Sequence, residues 1–216
     1  MKIEDEGAPR PGIRARSNWR KLYAQGLIDA SATEPLDRAF LERFDERLSA
    51  FGAPIADAWA PGAGEEHMDT LLAPLGIDLP DEARTWWGWH NGVRRDVPAP
   101  DRDLGGREPL SVDYAAELYE QDAGAQRQLF GFDGLLSGFL DKPRILFGCA
   151  GPRDQPVPIY VQGDIETPTI MLPSIRALLL AWIEFFELGV WRLNAEGRWA
   201  ATHQEKIPAH LDLGIF

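Results

Sequence analysis

Three tryptophans in four positions, Trp86, Trp87 and Trp89, run straight into His90-Asn91-Gly92 and constrain this chain more than any other feature. Each aromatic side chain of this kind removes about 150–250 Å² from water when it is buried, so the segment has to sit in a core. The surrounding stretch, LPDEARTWWGWHNG, reads as a helix. Pro80 suits its first turn, Asp81 and Glu82 complement the positive end of the helix dipole, and Asn91-Gly92 suits a left-handed cap. At about 100° per residue, Leu79, Ala83, Trp86 and His90 fall within an arc of about 60°. Trp87 and Trp89 flank that arc, and one of them is expected to stay partly exposed. The spacing predicts the end of a buried helix rather than an aromatic catalytic pocket.

The remaining segments divide into helices and strands. Within SATEPLDRAFLERFDERLSAFG, Ser31 and Glu34 have capping-box spacing, and Leu36, Phe40, Phe44, Leu48 and Phe51 form an apolar stripe before Gly52. EEHMDTLLAPLG offers a short helix with Met68, Leu71, Leu72 and Leu75 inward, closed by Pro74 and Gly76. The charged, Pro- and Gly-rich run from Val93 to Pro109 reads as a long exposed loop, and Ser111 then caps a helix over SVDYAAELYEQ. RILFGC, VPIYVQ and PTIML have the composition of successive antiparallel strands. Ser174 is expected to cap a long apolar helix reaching about Leu193, and the tail to add a hairpin or edge strand around Gly197. Helices, strands and a final helix predict an α+β domain: a small, mostly antiparallel sheet packed with several helices. The expected boundaries are an N-terminal extension over 1–30, one domain over 31–200 and a tail over 201–216.

Charge and cysteine usage limit the classes of function. Cys149 is the only cysteine of 216 residues, so no intrachain disulfide can form and a reducing, cytoplasmic setting is expected. The N-terminus lacks the apolar run of a secretory signal, and RALLLAWIEFFELGVW is broken by Arg176, Glu184 and Glu187 before it could span a bilayer. Residues 31–216 carry 16 Lys/Arg against 30 Asp/Glu, 16 − 30 = −14. A field of that sign repels phosphate backbones and favours basic partners, so direct nucleic-acid binding is not expected.

Motifs for catalysis are scarce. The histidines and the cysteine show no HExxH or CxxC spacing, no GxxxxGK[ST] or GxGxxG follows a strand, and EEHMD around His67 reads as a solvated helix face. No metal or cofactor is expected. Cys149, His90 and Asn91 have the residue types of a thiol hydrolase, but such a trio can be chosen from almost any chain of this length. A cysteine ending a strand is expected to be buried and inert, and a histidine beside Trp86 to be packed with a ring nitrogen on a carbonyl. No catalytic residue is assigned. In DYAAELYEQD, by contrast, Asp113, Glu117 and Glu120 share one helix face with no Lys or Arg between them. They form an acidic ridge, the candidate partner-binding face, although helix exteriors are ordinarily charged.

In their order, these features resemble the SUKH superfamily, which groups fungal cell-wall-assembly regulators with bacterial immunity proteins. The resemblance rests on Leu79-Pro80 opening a helix, on the His90-Asn91-Gly92 step that ends it, and on the loop, helix, strands and C-terminal helix near 174–193 that follow; it covers roughly residues 50–193. It implies a non-enzymatic binding domain without a shared active site, in which Leu79, Pro80, Trp86, His90, Asn91 and Gly92 serve the fold. The expected function is an immunity protein that occludes a cognate toxin domain, such as a basic nuclease. The alternatives are a regulatory scaffold like the cell-wall regulators and, behind it, an unrecognised enzyme.

Overall fold

The computed structural model describes residues 34–125, 133–140, 143–163, 168–195, 199–201 and 206–207. Five α-helices lie among these residues: α1 (Arg38–Ala50), α2 (Glu65–Leu72), α3 (Asp81–Trp89), α4 (Val112–Ala125) and α5 (Ile175–Leu188). Short 3-10 turns follow α1 and α2 and interrupt the segment before α4. Five strands, β1 (Glu108–Pro109), β2 (Leu135–Leu140), β3 (Arg144–Gly148), β4 (Ile159–Gln162) and β5 (Thr169–Leu172), form one antiparallel sheet in the order β1-β2-β3-β4-β5. A separate hairpin pairs β6 (Trp191–Leu193) with β7 (Trp199–Ala201). The class is α+β.

The alternation of each strand sorts its side chains between two layers. Leu136, Ile145, Phe147 and Ile159 enter the main core with all five helices, whereas Leu135, Leu146 and Tyr160 form a second small cluster with Ile170. A register shift between Ser137 and Phe139 returns Phe139 to the main core, where its ring meets Trp86 at 5.8 Å and Trp182 at 4.9 Å. Gly138 sits at that shift because a Cβ there would lie 2.5 Å from the Phe147 ring. Helices α1 and α5 run parallel. Phe40 packs under the Arg176 guanidinium near their N-termini, and Phe51 meets Phe186 near their C-termini.

Several expectations need correction. The cap of α1 is Asp37, whose side chain accepts from the Phe40 N–H at 2.6 Å; Glu34 instead receives Arg176 at 2.7 Å. Ser31 lies outside the described residues, as do 1–30, Gly197 and most of the tail. Phe51 forms the C-cap of α1 and stands 38% exposed, off the apolar stripe. Among the described residues no long apolar helix reaches Leu193: α5 has 14 residues and stops at Gly189, which takes φ 67° and donates its N–H to the Phe186 carbonyl. The chain then turns into β6, so the residues up to Leu193 are strand rather than helix. The segment 93–109 is not simply an exposed loop. Leu104 is fully buried, Arg107 and Glu108 are buried with it, and the turn between them lays Gly105 against the Trp191 ring, leaving no room for a Cβ. Among the described residues, no helix is long and apolar enough to cross a membrane.

Candidate functional site

Helix α3 brings its neighbours together because all but its narrow Asp81, Thr85 and Gly88 face is buried. Glu82, Ala83, Arg84, Trp86, Trp87 and Trp89 are all withdrawn from solvent, so neither Trp87 nor Trp89 is left partly exposed as expected. The reason lies upstream: residues 58–63 run antiparallel past the end of α3. Ala63 N–H bonds the Trp87 carbonyl at 2.9 Å, Ala60 N–H the Gly92 carbonyl at 3.0 Å, and Trp59 bridges to Val93. Gly62 permits this approach, since its Cβ would stand 1.9 Å from the Gly88 oxygen. Leu79 is buried beneath the turn, its carbonyl taking Arg84 Nε at 2.9 Å, and Pro80 is the N-cap.

The step after α3 differs from a left-handed helix cap. His90 is the C-cap and is extended (φ −140°), while Gly92 takes a positive φ of 74°. A Cβ on Gly92 would meet Ser111 N at 2.6 Å, so the step passes directly over the start of α4. His90 leaves the helix face and stacks on Trp59, with centroids 5.0 Å apart and planes at 9°, and donates through Nδ1 to the Ala60 carbonyl at 3.1 Å. Burial pushes its pKa down to about 4, so the ring is neutral near pH 7.

Asn91 turns the step into a positioning device for α4. Its Oδ1 accepts from the Val112 N–H at 2.7 Å and its Nδ2 donates to Asp113 Oδ2 at 3.1 Å. Ser111 Oγ accepts from Tyr114 N–H at 3.2 Å, as its capping role predicts. The Trp87 indole donates to the Leu110 carbonyl at 2.9 Å, fixing the approach to the same turn. Two free N–H groups at the start of α4 are thereby satisfied, one from the preceding helix and one locally. The contribution of Asn91 was not visible in the sequence, where Asn-Gly reads as a cap of its own helix.

The outward face of α4 carries Asp113, Glu117 and Glu120, all exposed. Asp113 is held from two other segments. It takes His67 Nε2 of α2 on Oδ1 at 2.7 Å and Asn91 on Oδ2. Partial burial alone would raise its pKa, but the bonds from Asn91 and His67 outweigh this and hold the carboxyl below its usual range. Glu117 accepts from Gln121 one turn on at 3.3 Å. Helix α2, alongside, adds exposed Glu65, Glu66 and Asp69, with Asp69 paired to the buried Arg84 at 2.5 Å. His67 lies on the solvated EEHMD face, as expected, and also ties α2 to α4 through Asp113. Only the chain's tertiary path joins it to Asp113.

The thiol-hydrolase trio does not converge. Cys149 is 1% exposed, and burial together with the nearby Glu82 pushes its thiol far above the ordinary range, so it is protonated at neutral pH. His90 and Asn91 direct their side chains to Ala60, Val112 and Asp113. Among the described residues, no three His, Cys, Asp or Glu side chains are grouped so as to hold a metal ion. No family model and no curated protein matches the chain.

Proposed function

We propose that this protein is a SUKH-type, non-enzymatic binding module that acts in the cytoplasm as an immunity protein, covering the basic active surface of a cognate toxin domain. The observation that carries the reading is the exposed α4 face, where Asp113, Glu117 and Glu120 project from a helix whose first turn is fixed by Asn91 and Ser111. A rigid acidic face needs little ordering on binding, so less of the interaction is spent on entropy. The body charge of −14, from 16 Lys/Arg and 30 Asp/Glu in residues 31–216, steers a basic partner toward it. A nuclease presents such a surface, because its own substrate is a polyanion.

The Asn91-Gly92 step supports the same reading. These residues recur in the family pattern that the chain resembles, and here they connect the buried aromatic helix to the acidic one. The test is a pull-down with the purified protein against the products of adjacent genes. Retention of a basic toxin domain, whose activity is lost on binding, supports the proposal. Failure of every neighbouring product to bind, or turnover by this chain that Cys149→Ala abolishes, rejects it.

A further inference from the structure

Asn91-Gly92 is the one Asn-Gly pair in the 216 residues, and the junction between α3 and α4 requires both members where they stand. Gly92 passes over the start of α4, where a Cβ would lie 2.6 Å from Ser111 N. Asn91 accepts from the Val112 N–H at 2.7 Å and donates to Asp113 Oδ2 at 3.1 Å, and an aspartate in its place could do only the first. The junction therefore installs a pair with chemistry of its own. A backbone nitrogen that follows asparagine attacks the side-chain amide carbon most readily when it belongs to glycine, which has no Cβ to shield it.

The same contacts hold that reaction back. Asn91 N–H bonds the Pro61 carbonyl at 3.3 Å and the Gly92 carbonyl takes the Ala60 N–H at 3.0 Å, so the peptide unit between them is clamped on both sides. Both polar atoms of the Asn91 side chain are engaged on α4. Ring closure ends this, because it expels Nδ2 and draws Cγ back onto the main chain. Neither hydrolysis product fits the junction again. Aspartate at 91 would set a second carboxylate against Asp113, which already takes His67 on its other oxygen. Isoaspartate would add a methylene to the backbone between two fixed hydrogen bonds, at a step with no spare room.

We propose that Asn91 is a self-modification site gated by the junction of α3 and α4: when α4 lifts off, the Asn91 side-chain amide is hydrolysed through a cyclic imide and the acidic helix is not refastened. The reaction needs only water. Gly92 N gives up its proton and bonds to Asn91 Cγ, the bond from Cγ to Nδ2 breaks, and Nδ2 leaves as ammonia with that proton. Water then opens the imide at either carbonyl, giving aspartate or isoaspartate. Asn91 is half-buried, so solvent reaches the ring once the junction opens. The result is a one-way loosening of the helix that presents Asp113, Glu117 and Glu120.

Mass spectrometry after trypsin follows the conversion in the full chain, incubated folded in buffer and unfolded in urea at one pH and temperature. Peptide 85–94 carries Asn91, and peptide 193–198, with Asn194 before alanine, is the internal reference. Two side-chain hydrogen bonds predict that Asn91 converts about 30-fold more slowly folded than unfolded, and Asp113→Ala, which frees Nδ2, should speed the folded reaction about fivefold. In urea Asn91 should convert well ahead of Asn194. Asn91→Asp, the product itself, should lower amide-exchange protection at Val112 about tenfold, and adding Asp113→Asn, which restores a donor opposite the carboxylate, should recover most of it. Equal folded and unfolded rates overturn the proposal, as does an unfolded chain in which Asn91 is no faster than Asn194, or an Asn91→Asp chain with wild-type protection at Val112. Should the variants not fold, the wild-type rates decide alone.

Discussion

Helices α3 and α4 are joined by one asparagine and built on opposite rules. Along its nine residues α3 buries Trp86, Trp87 and Trp89 together with Glu82 and Arg84, while α4 keeps Asp113, Glu117 and Glu120 in water. Both helices begin with acidic residues, so charge content alone does not say which is the surface. The neighbours decide. Residues 58–63 close over the C-terminal end of α3, while at its start Glu82 is held by the Val157 and Arg176 backbone and Arg84 pairs with Asp69 and Asp78. Among the described residues nothing comparable confines Glu117 and Glu120, which stay exposed.

The largest way to break this contrast is to empty α3. Trp86 is 1% exposed and packs against Trp59, Trp89, Phe139 and Phe147, so Trp86→Ala should destabilise by about 3–5 kcal/mol in urea unfolding. Among the described residues its indole N–H has no hydrogen-bond partner, so Trp86→Phe should recover more than half of that loss. A change of a few tenths for Trp86→Ala would mean that the face is not core. Next comes the junction. Asn91→Ala removes the side-chain bond to the Val112 N–H and should cost about 1–2 kcal/mol, the range for losing a helix N-cap.

The contrast also has a pH signature. The Glu82 carboxyl, raised by burial to about 7, contributes stability that is fully present below the ordinary value of 4.5 and is lost as pH rises to 7. His90, lowered by burial to about 4, works the other way: its contribution is present above the ordinary 6.5 and is lost as pH falls toward 4. Between pH 4.5 and 6.5 the two oppose each other. Relative to wild type, Glu82→Gln should therefore gain stability as pH rises through this window, and His90→Phe should gain it as pH falls. Unfolding midpoints at pH 5, 6 and 7 separate the two, and parallel profiles for both variants would contradict these assignments.

How far the sequence foretold this architecture follows the reach of each signal. Local periodicity located α1, α2, α3 and three strands, and Ser174 caps α5 as its position predicts, its Oγ accepting from the Ala177 N–H at 2.9 Å. What failed was decided at a distance or by a competing residue. Strand β2 was missed because Ser137-Gly138 interrupts its apolar run, and only the Phe147 ring across the sheet explains that glycine. Asp37 caps α1 because the helix starts only at Arg38, past Pro35, whose ring disfavours helical backbone at Glu34, and Glu34 instead meets Arg176, more than a hundred residues away. The acidic ridge was legible from spacing, but its tie to His67 and Asn91 depends on how α2 and α3 pass α4. Glu82 looked like an ordinary dipole-complementing residue until residues 157 and 175–176 came to lie on it.

The smallest expected effect on stability belongs to the α4 face, and it bears on the central claim. Glu117→Lys with Glu120→Lys should leave thermal unfolding within about 0.5 kcal/mol of wild type, since exposed helix charges contribute little to folding. Their effect should appear in binding. Stopped-flow association with the proposed toxin partner, once a neighbouring gene product is found to bind, at low salt and at 0.15 M where the Debye length is about 8 Å, measures it directly. If the acidic face steers a basic partner, the wild-type association rate falls steeply with salt while dissociation changes little, and the double variant associates more slowly at low salt. Tight binding with a salt-independent association rate, identical in wild type and variant, would contradict the account.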